Sequence, residues 1–169
     1  MISISTASRF TVAPTAVGGI PYPVGVGILL FGSRGTVVED NKIYGNYLTG
    51  LGMIQALTLK NPKDQTLLDN TVRKNEFGAG GADKNGRDIS YDGDGQNNCF
   101  SDNTGVEVFF PADPAVFPAC PFKGANKLSS PAQVEAINWT INDPSHEKYW
   151  VKHPHAPKAG YTPLEHHTK

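Results

Sequence analysis

Asp40-Asn41-Lys42-Ile43-Tyr44-Gly45-Asn46 is followed by Asp69-Asn70-Thr71-Val72-Arg73-Lys74-Asn75, and then by Asn97-Asn98-Cys99-Phe100-Ser101-Asp102-Asn103. The three stretches share the frame Asp/Asn-Asn-x-apolar-x-x-Asn, displaced by 29 residues and then by 28. Ser8-Arg9-Phe10 is a fainter echo upstream. Self-similarity at such a period marks a chain that stacks one supersecondary unit on the next and buries its apolar side chains between neighbours. Around each copy lie short apolar runs, Gly27 to Phe31, Met53 to Leu59 and Asp88 to Tyr91, separated by turn formers. Short strands with no helical periodicity predict an all-β fold, a right-handed parallel β-helix of about three to four coils.

Stacking gives each repeated residue type a physical reason. Strands of successive coils lie ~4.8 Å apart, so equivalent positions form columns. On the 29- and 28-residue displacements, Ile43, Val72 and Phe100 form one inward apolar column. Asn41, Asn70 and Asn98 form a corner ladder, and Asn46, Asn75 and Asn103 a second. Asparagine tolerates the left-handed backbone and offers an amide to the rung above. The same alignment places the Asp40 and Asp69 carboxylates about one rung apart, a spacing that raises one pKa or recruits a cation. The plainer reading is that both cap turn amides.

Composition fits this architecture. The chain has 169 residues, 38% of them hydrophobic, with 18 glycines and 13 prolines. A solenoid buries few inward side chains per coil and spends the remainder on turns. Fifteen basic and 16 acidic side chains are well mixed, for a net charge of −1. That balance argues against a nucleic-acid partner or an anionic membrane, either of which calls for a basic stripe. No apolar run is long enough to span a bilayer. The first residues carry no basic end and apolar stretch of the signal-peptide kind.

The texture divides the chain into three parts. Residues 1–24 read as an incomplete first coil and loop, and 25–110 as the parallel β-helix coils. Nine of the 13 prolines fall in 111–169, read as a proline-rich cap and tail. Within it Ser130-Pro131-Ala132-Gln133 is a helix start: serine as N-cap, proline at the first helical position and glutamine as capping box. The spacing predicts a helix near 131–139 with Val134 and Ile137 on its buried side. Beyond it, the aromatic stretch from Trp150 to Leu164 is expected to strap along the coils.

Cys99 and Cys120 lie 21 apart, and all five histidines are far downstream, from His146 on. Two cysteines without neighbouring histidines do not make a zinc site. The expectation is a Cys99–Cys120 disulfide; two buried free thiols are the alternative. On the chain-entropy model such a bridge contributes ~3 kcal/mol, and it belongs to an oxidising compartment.

The Asp-Asn-x-Ile/Val rungs, together with the last one, Asp88-Ile89-Ser90-Tyr91-Asp92-Gly93-Asp94-Gly95-Gln96-Asn97-Asn98-Cys99-Phe100, resemble the C-terminal coils of bacterial right-handed parallel β-helix repeat proteins. These form the pectate-lyase-like group. The Asn-Asn-Cys-Phe rung with Pro118-Ala119-Cys120-Pro121 is similar to secreted actinobacterial members, over about residues 25–122. Such proteins usually carry more coils and a signal peptide, so the resemblance implies the C-terminal portion of a longer extracellular or periplasmic protein.

Two functions follow as expectations. The first is a non-catalytic extracellular module, a scaffold or glycan-contacting segment, able to self-stack through its N-terminal rung. The second is the C-terminal part of a polysaccharide-active enzyme (lyase, epimerase or glycoside hydrolase) whose catalytic coils lie upstream or in a groove near Arg73, Arg87, Asp92 and Asp94. Hydrolases need two carboxylates at about 5–5.5 Å or about 6.5–9.5 Å. The outward columns expected from the repeat, Tyr44/Arg73/Ser101 and Lys42/Thr71/Cys99, do not supply them. Asp88, Asp92 and Asp94 are the candidate metal ligands: hard oxygens at close spacing suit calcium, although no bidentate glutamate follows. No other cofactor is expected. His153, His155, His166 and His167 suit a transition metal by side-chain type alone.

Overall fold

The structure is a computed structural model that describes residues 25–46, 48–82 and 84–141, of which 137–141 through their backbone only. The expected first coil (1–24) and the aromatic and histidine-containing tail beyond 141 lie outside the described residues. The chain visits three walls in turn. β1 (Val26–Phe31), β2 (Val37–Glu39) and β3 (Lys42–Ile43) make the first passage. β4 (Thr49–Ile54), a short helix α1 (Pro62–Gln65), β5 (Thr71–Arg73) and β6 (Glu76–Phe77) make the second. β7 (Ile89–Tyr91) and β8 (Cys99–Ser101) begin the third, followed by β9 (Phe109–Phe110) and a helix α2 (Ser130–Ile141). The strands assemble into three parallel sheets, in the orders β1-β4-β7-β9, β2-β5-β8 and β3-β6. The protein is thus mostly β, with parallel sheets and few helices. No helix among the described residues is long and apolar enough to cross a membrane.

Period-two alternation sorts the side chains. Leu30, Leu51, Met53, Ile89 and Tyr91 from the first sheet share one buried cluster with Val38, Val72 and Phe100 from the second and with Ile43 and Phe77 from the third. Alternate residues of the first sheet, Leu29, Phe31 and Ile54, point the other way and pack with Leu48 and Val26 against Ala136 of α2. Among the described residues α2 is therefore the cover on the outer face of the first sheet.

The register corrects the expected columns. From the second passage to the third the displacement is 28, as Val72 lies beside Phe100. From the first to the second it is 34 on the second and third sheets, not 29: Val38 lies beside Val72, and Ile43 beside Phe77. The cause is a shorter repeat inside each passage. Backbone of positive φ recurs at Gly35, Asp40 and Gly45, at Asp69 and Lys74, and at Asn97 and Asp102. Each such residue turns the chain, and the next enters a new wall, so the asparagine frame recurs after five residues as well as after a full passage. Asp40 to Asn46 belongs to the neighbouring wall. The true counterpart of 69–75 is Gly35 to Asn41, where Thr36 hides the match.

The outward columns change accordingly, to Glu39/Arg73/Ser101 and Val37/Thr71/Cys99. Arg73 pairs with Glu39 at 2.7 Å and Lys42 with Glu76 at 3.4 Å, one passage apart in each case. Asp40 and Asp69 stand on different walls, so they form no carboxylate pair; Asp69 instead receives the Asn97 amide at 2.8 Å.

The helix near 131–139 is present but differs at both cap and face. Ser129 is the cap, its Oγ accepting from Ala132 N at 3.4 Å and its carbonyl from Gln133 N at 3.0 Å. Ala132 and Ala136 are buried, whereas Val134 is 58% exposed. The side chain of Ile137 lies outside the described residues.

Inward and outward positions should respond very differently to truncation. Phe77→Ala removes a fully buried ring and is expected to cost about 3–5 kcal/mol. Val37→Ala, at a half-exposed position, should change stability by no more than about 0.5 kcal/mol. Urea unfolding of the two variants checks the pair.

Candidate functional site

The asparagines selected from sequence are all hydrogen-bonded between passages, in columns sorted differently from the expectation. In one column Thr36 N and Ser33 Oγ donate to Asn70 Oδ1 (3.0 and 3.1 Å). Asn70 N and Nδ2 donate to Asn98 Oδ1 (3.1 and 2.8 Å), and those of Asn98 to Asn126 Oδ1 (3.0 and 3.1 Å). In the second, Asn41 donates through the same two groups to Asn75 Oδ1, and Asn75 to Asn103 Oδ1. Asn46 belongs to a third, donating to Asn85 Oδ1 at 3.2 and 2.9 Å. Sequence reasoning missed Asn85 and Asn126. Asn126 was within reach, since it follows Asn98 at the same 28-residue displacement; Asn85 carries no such frame.

The acidic residues are absorbed in much the same way. Asp88 Oδ2 accepts from Glu107 N and Val108 N at 2.7 and 2.9 Å, and Oδ1 from Asn85 Nδ2 at 2.9 Å. Asp92 Oδ2 accepts from Gln55 N at 2.7 Å, and Oδ1 from Asp94 N at 2.9 Å. Asp94 Oδ2 accepts from Leu67 N at 3.0 Å. Each carboxylate thus serves a different backbone segment. Among the described residues no three His, Cys, Asp or Glu side chains come together as a metal-binding group, Asp88, Asp92 and Asp94 included. The glycines of the Asp92-Gly93-Asp94-Gly95 turn have a packing reason instead. A Cβ on Gly93 would lie 1.9 Å from the Lys127 carbonyl oxygen, and one on Gly95 1.7 Å from that of Leu67.

Burial shapes the electrostatics of this turn. Asp92 is 1% exposed, and that burial pushes its carboxyl up to about 6 against the opposing hydrogen bonds from Gln55 and Asp94. Asp94 is raised as well, first by burial, with the Leu67 and Gly95 amides opposing. Tyr91 is pushed up by burial; its hydroxyl donates to the Asp94 carbonyl at 2.6 Å and accepts from Asn98 Nδ2 at 3.1 Å.

The expected groove residues are dispersed. Arg73 is on the second sheet with Glu39. Arg87 is buried: its Nη2 meets Glu135 of α2 at 3.0 Å, and its guanidinium lies 3.7 Å over the Phe110 ring. Gln133 of the same helix donates to Gln55 Oε1 at 2.8 Å, so α2 is held by polar contacts as well as by the buried Ala132 and Ala136. A cleft of about 250 Å³ opens beside Gly80, Lys84, Asp88, Gly105 and Glu107, with Lys84 and Glu107 ion-paired. Cys99 and Cys120 form a disulfide. Comparison of the chain with protein-family models, with curated proteins and with solved structures gives no match.

The raised carboxyl of Asp92 sets a pH dependence of known sign. The folded state keeps this proton up to about pH 6, whereas an unfolded aspartate releases it near 3.9. Stability from this group is therefore present at low pH and is lost as pH rises through about 6. Relative to Asp92→Asn, the native protein should lose about 2–3 kcal/mol between pH 4 and pH 6.5 and nothing further above that. Thermal unfolding of both proteins across that range is the check; parallel curves would contradict it.

Proposed function

We propose that the three sheets are the walls of a right-handed parallel β-helix. On this reading the chain is a non-catalytic extracellular module, a scaffold that offers its faces to glycans or to other proteins of the cell exterior. The observation that carries this reading is the employment of the acidic and amide side chains. Asp88, Asp92 and Asp94 bind backbone N–H groups, and the asparagines bind one another. A general acid or nucleophile must instead face substrate. The order in which the chain visits its sheets supports the coil, and the disulfide fits an oxidising compartment. The resemblance to the pectate-lyase-like group agrees with both. Contact with a neutral glycan has a place in the cleft at Lys84 and Glu107, where donor and acceptor stand together.

Incubation with pectate, alginate and chondroitin, with and without calcium, tests the non-catalytic reading. Neither the ultraviolet absorbance of unsaturated products nor new reducing ends should appear. Turnover of any of the three, abolished by Asp92→Asn or Asp94→Asn, would replace the scaffold by the enzyme.

A further inference from the structure

The asparagine columns have a direction. In every described step the backbone N–H and Nδ2 of one asparagine donate to the Oδ1 of the asparagine one passage later. A column therefore begins with an acceptor and ends with donors. The second column begins at Asn41 Oδ1 and ends at the amides of Asn103. The ends of such a column are complementary to each other, which is the requirement for head-to-tail pairing of identical chains.

The first column ends differently, because a segment of the same chain closes it. Asn126 accepts from Asn98 as a fourth rung would, and its Nδ2 returns a bond to Asn98 O at 2.9 Å. Phe100 N donates to Pro118 O at 3.0 Å and Cys120 N to Phe100 O at 3.2 Å, so Ala119 bridges Phe100 in the parallel sense. Asn97 N donates to Gly124 O, and Asn126 N to Gly95 O, both at 2.9 Å. Val116, 1% exposed, and Phe117, its ring 5.3 Å from that of Phe100, fill the space below the core. Residues 116–126 thus imitate the rung of a further passage. The imitation is thin: Phe100 has one bridge partner on this side, against the three paired residues of β5 and β8. The Cys99–Cys120 disulfide ties the imitation to β8.

The opposite end carries the matching edge. β1, β2 and β3 are the first strands of their sheets, and among the described residues no strand pairs their outer edges. One displacement brings β2 beneath β8 and continues the second asparagine column; the first column meets Thr36 there, and on the first sheet the place for β1 is held by β9, which pairs β7. The displacement puts Val37 below Cys99, Val38 below Phe100 and Asn41 below Asn103, the sum of the two passages already observed.

We propose that the partner fitted by the β8 edge is β2 of a second copy of this chain, and that residues 109–126, β9 included, are a disulfide-held plug that excludes it. A dithiol reductant opens the plug. It transfers two electrons and two protons to the Cys99–Cys120 bond, which becomes two thiols, and is itself oxidised to a cyclic disulfide. The freed edge then takes the second copy head to tail, Asn103 donating to the partner's Asn41.

The full-length chain tests this with and without dithiothreitol. On reduction, hydrogen exchange at the Phe100 and Cys120 amides should accelerate about a hundredfold while the core amides of β4 and β5 stay protected. Light scattering should then show mass rising with protein concentration, and the oxidised protein should remain monomeric. A Val37→Cys/Cys120→Ser variant reads the register: mild oxidation should join position 37 of one copy to Cys99 of the next, as mapped by peptide mass. A reduced protein that stays monomeric, a core that unfolds on reduction, or a cross-link from another position would each overturn the proposal.

Discussion

One asparagine oxygen accepting two N–H groups from the passage above is the interaction on which the rest of the fold depends. At the corners the backbone turns through positive φ and leaves the regular ladder, so its amides lose their strand partners. Asn75 shows the remedy: its Oδ1 takes both Asn41 donors, and its Nδ2 satisfies the Val38 and Arg73 carbonyls and the Asn103 amide oxygen. The side chain is 1% exposed, and a buried amide without partners costs about 1–3 kcal/mol per group. A slip by one residue would remove these bonds and turn the inward faces of β2 and β5 outward. The amide columns and the apolar columns thus enforce the same register.

That interlocking also explains what the sequence makes legible. The residue types of the corners and the inward apolar positions are visible, because asparagine and branched apolar side chains are needed there in every passage. The displacement from the second passage to the third is visible because both carry two asparagines in frame. The first passage carries Thr36 instead, which serves as well because its backbone N–H still reaches Asn70 Oδ1. The frame then matches better on the adjacent wall, five residues away, and the 34-residue spacing is hidden. Local periodicity and passage periodicity share one motif, and only pairing between strands separates them.

The acidic turn and the second helix were less legible for a different reason. Asp88, Asp92 and Asp94 have ligand spacing, but the chain brings a different backbone segment to each, and these come from residues 19 to 37 positions distant. The helix at Ser130–Ile141 has a readable start, yet its buried face carries small residues and polar contacts to Arg87 and Gln55. Apolar periodicity selects Val134, which faces solvent. Long-range partners decide both cases, and no local pattern encodes them.

The register of the amide columns is open to one direct measurement, a pair of double-mutant cycles with alanine at Asn41, Asn70 and Asn75, read by urea unfolding. Contact pairs couple and separated pairs add. Asn41 and Asn75 should show a coupling above about 1 kcal/mol, and Asn41 and Asn70 less than about 0.5 kcal/mol. Strong coupling of Asn41 to Asn70, with additivity between Asn41 and Asn75, would restore the 29-residue displacement and contradict the account.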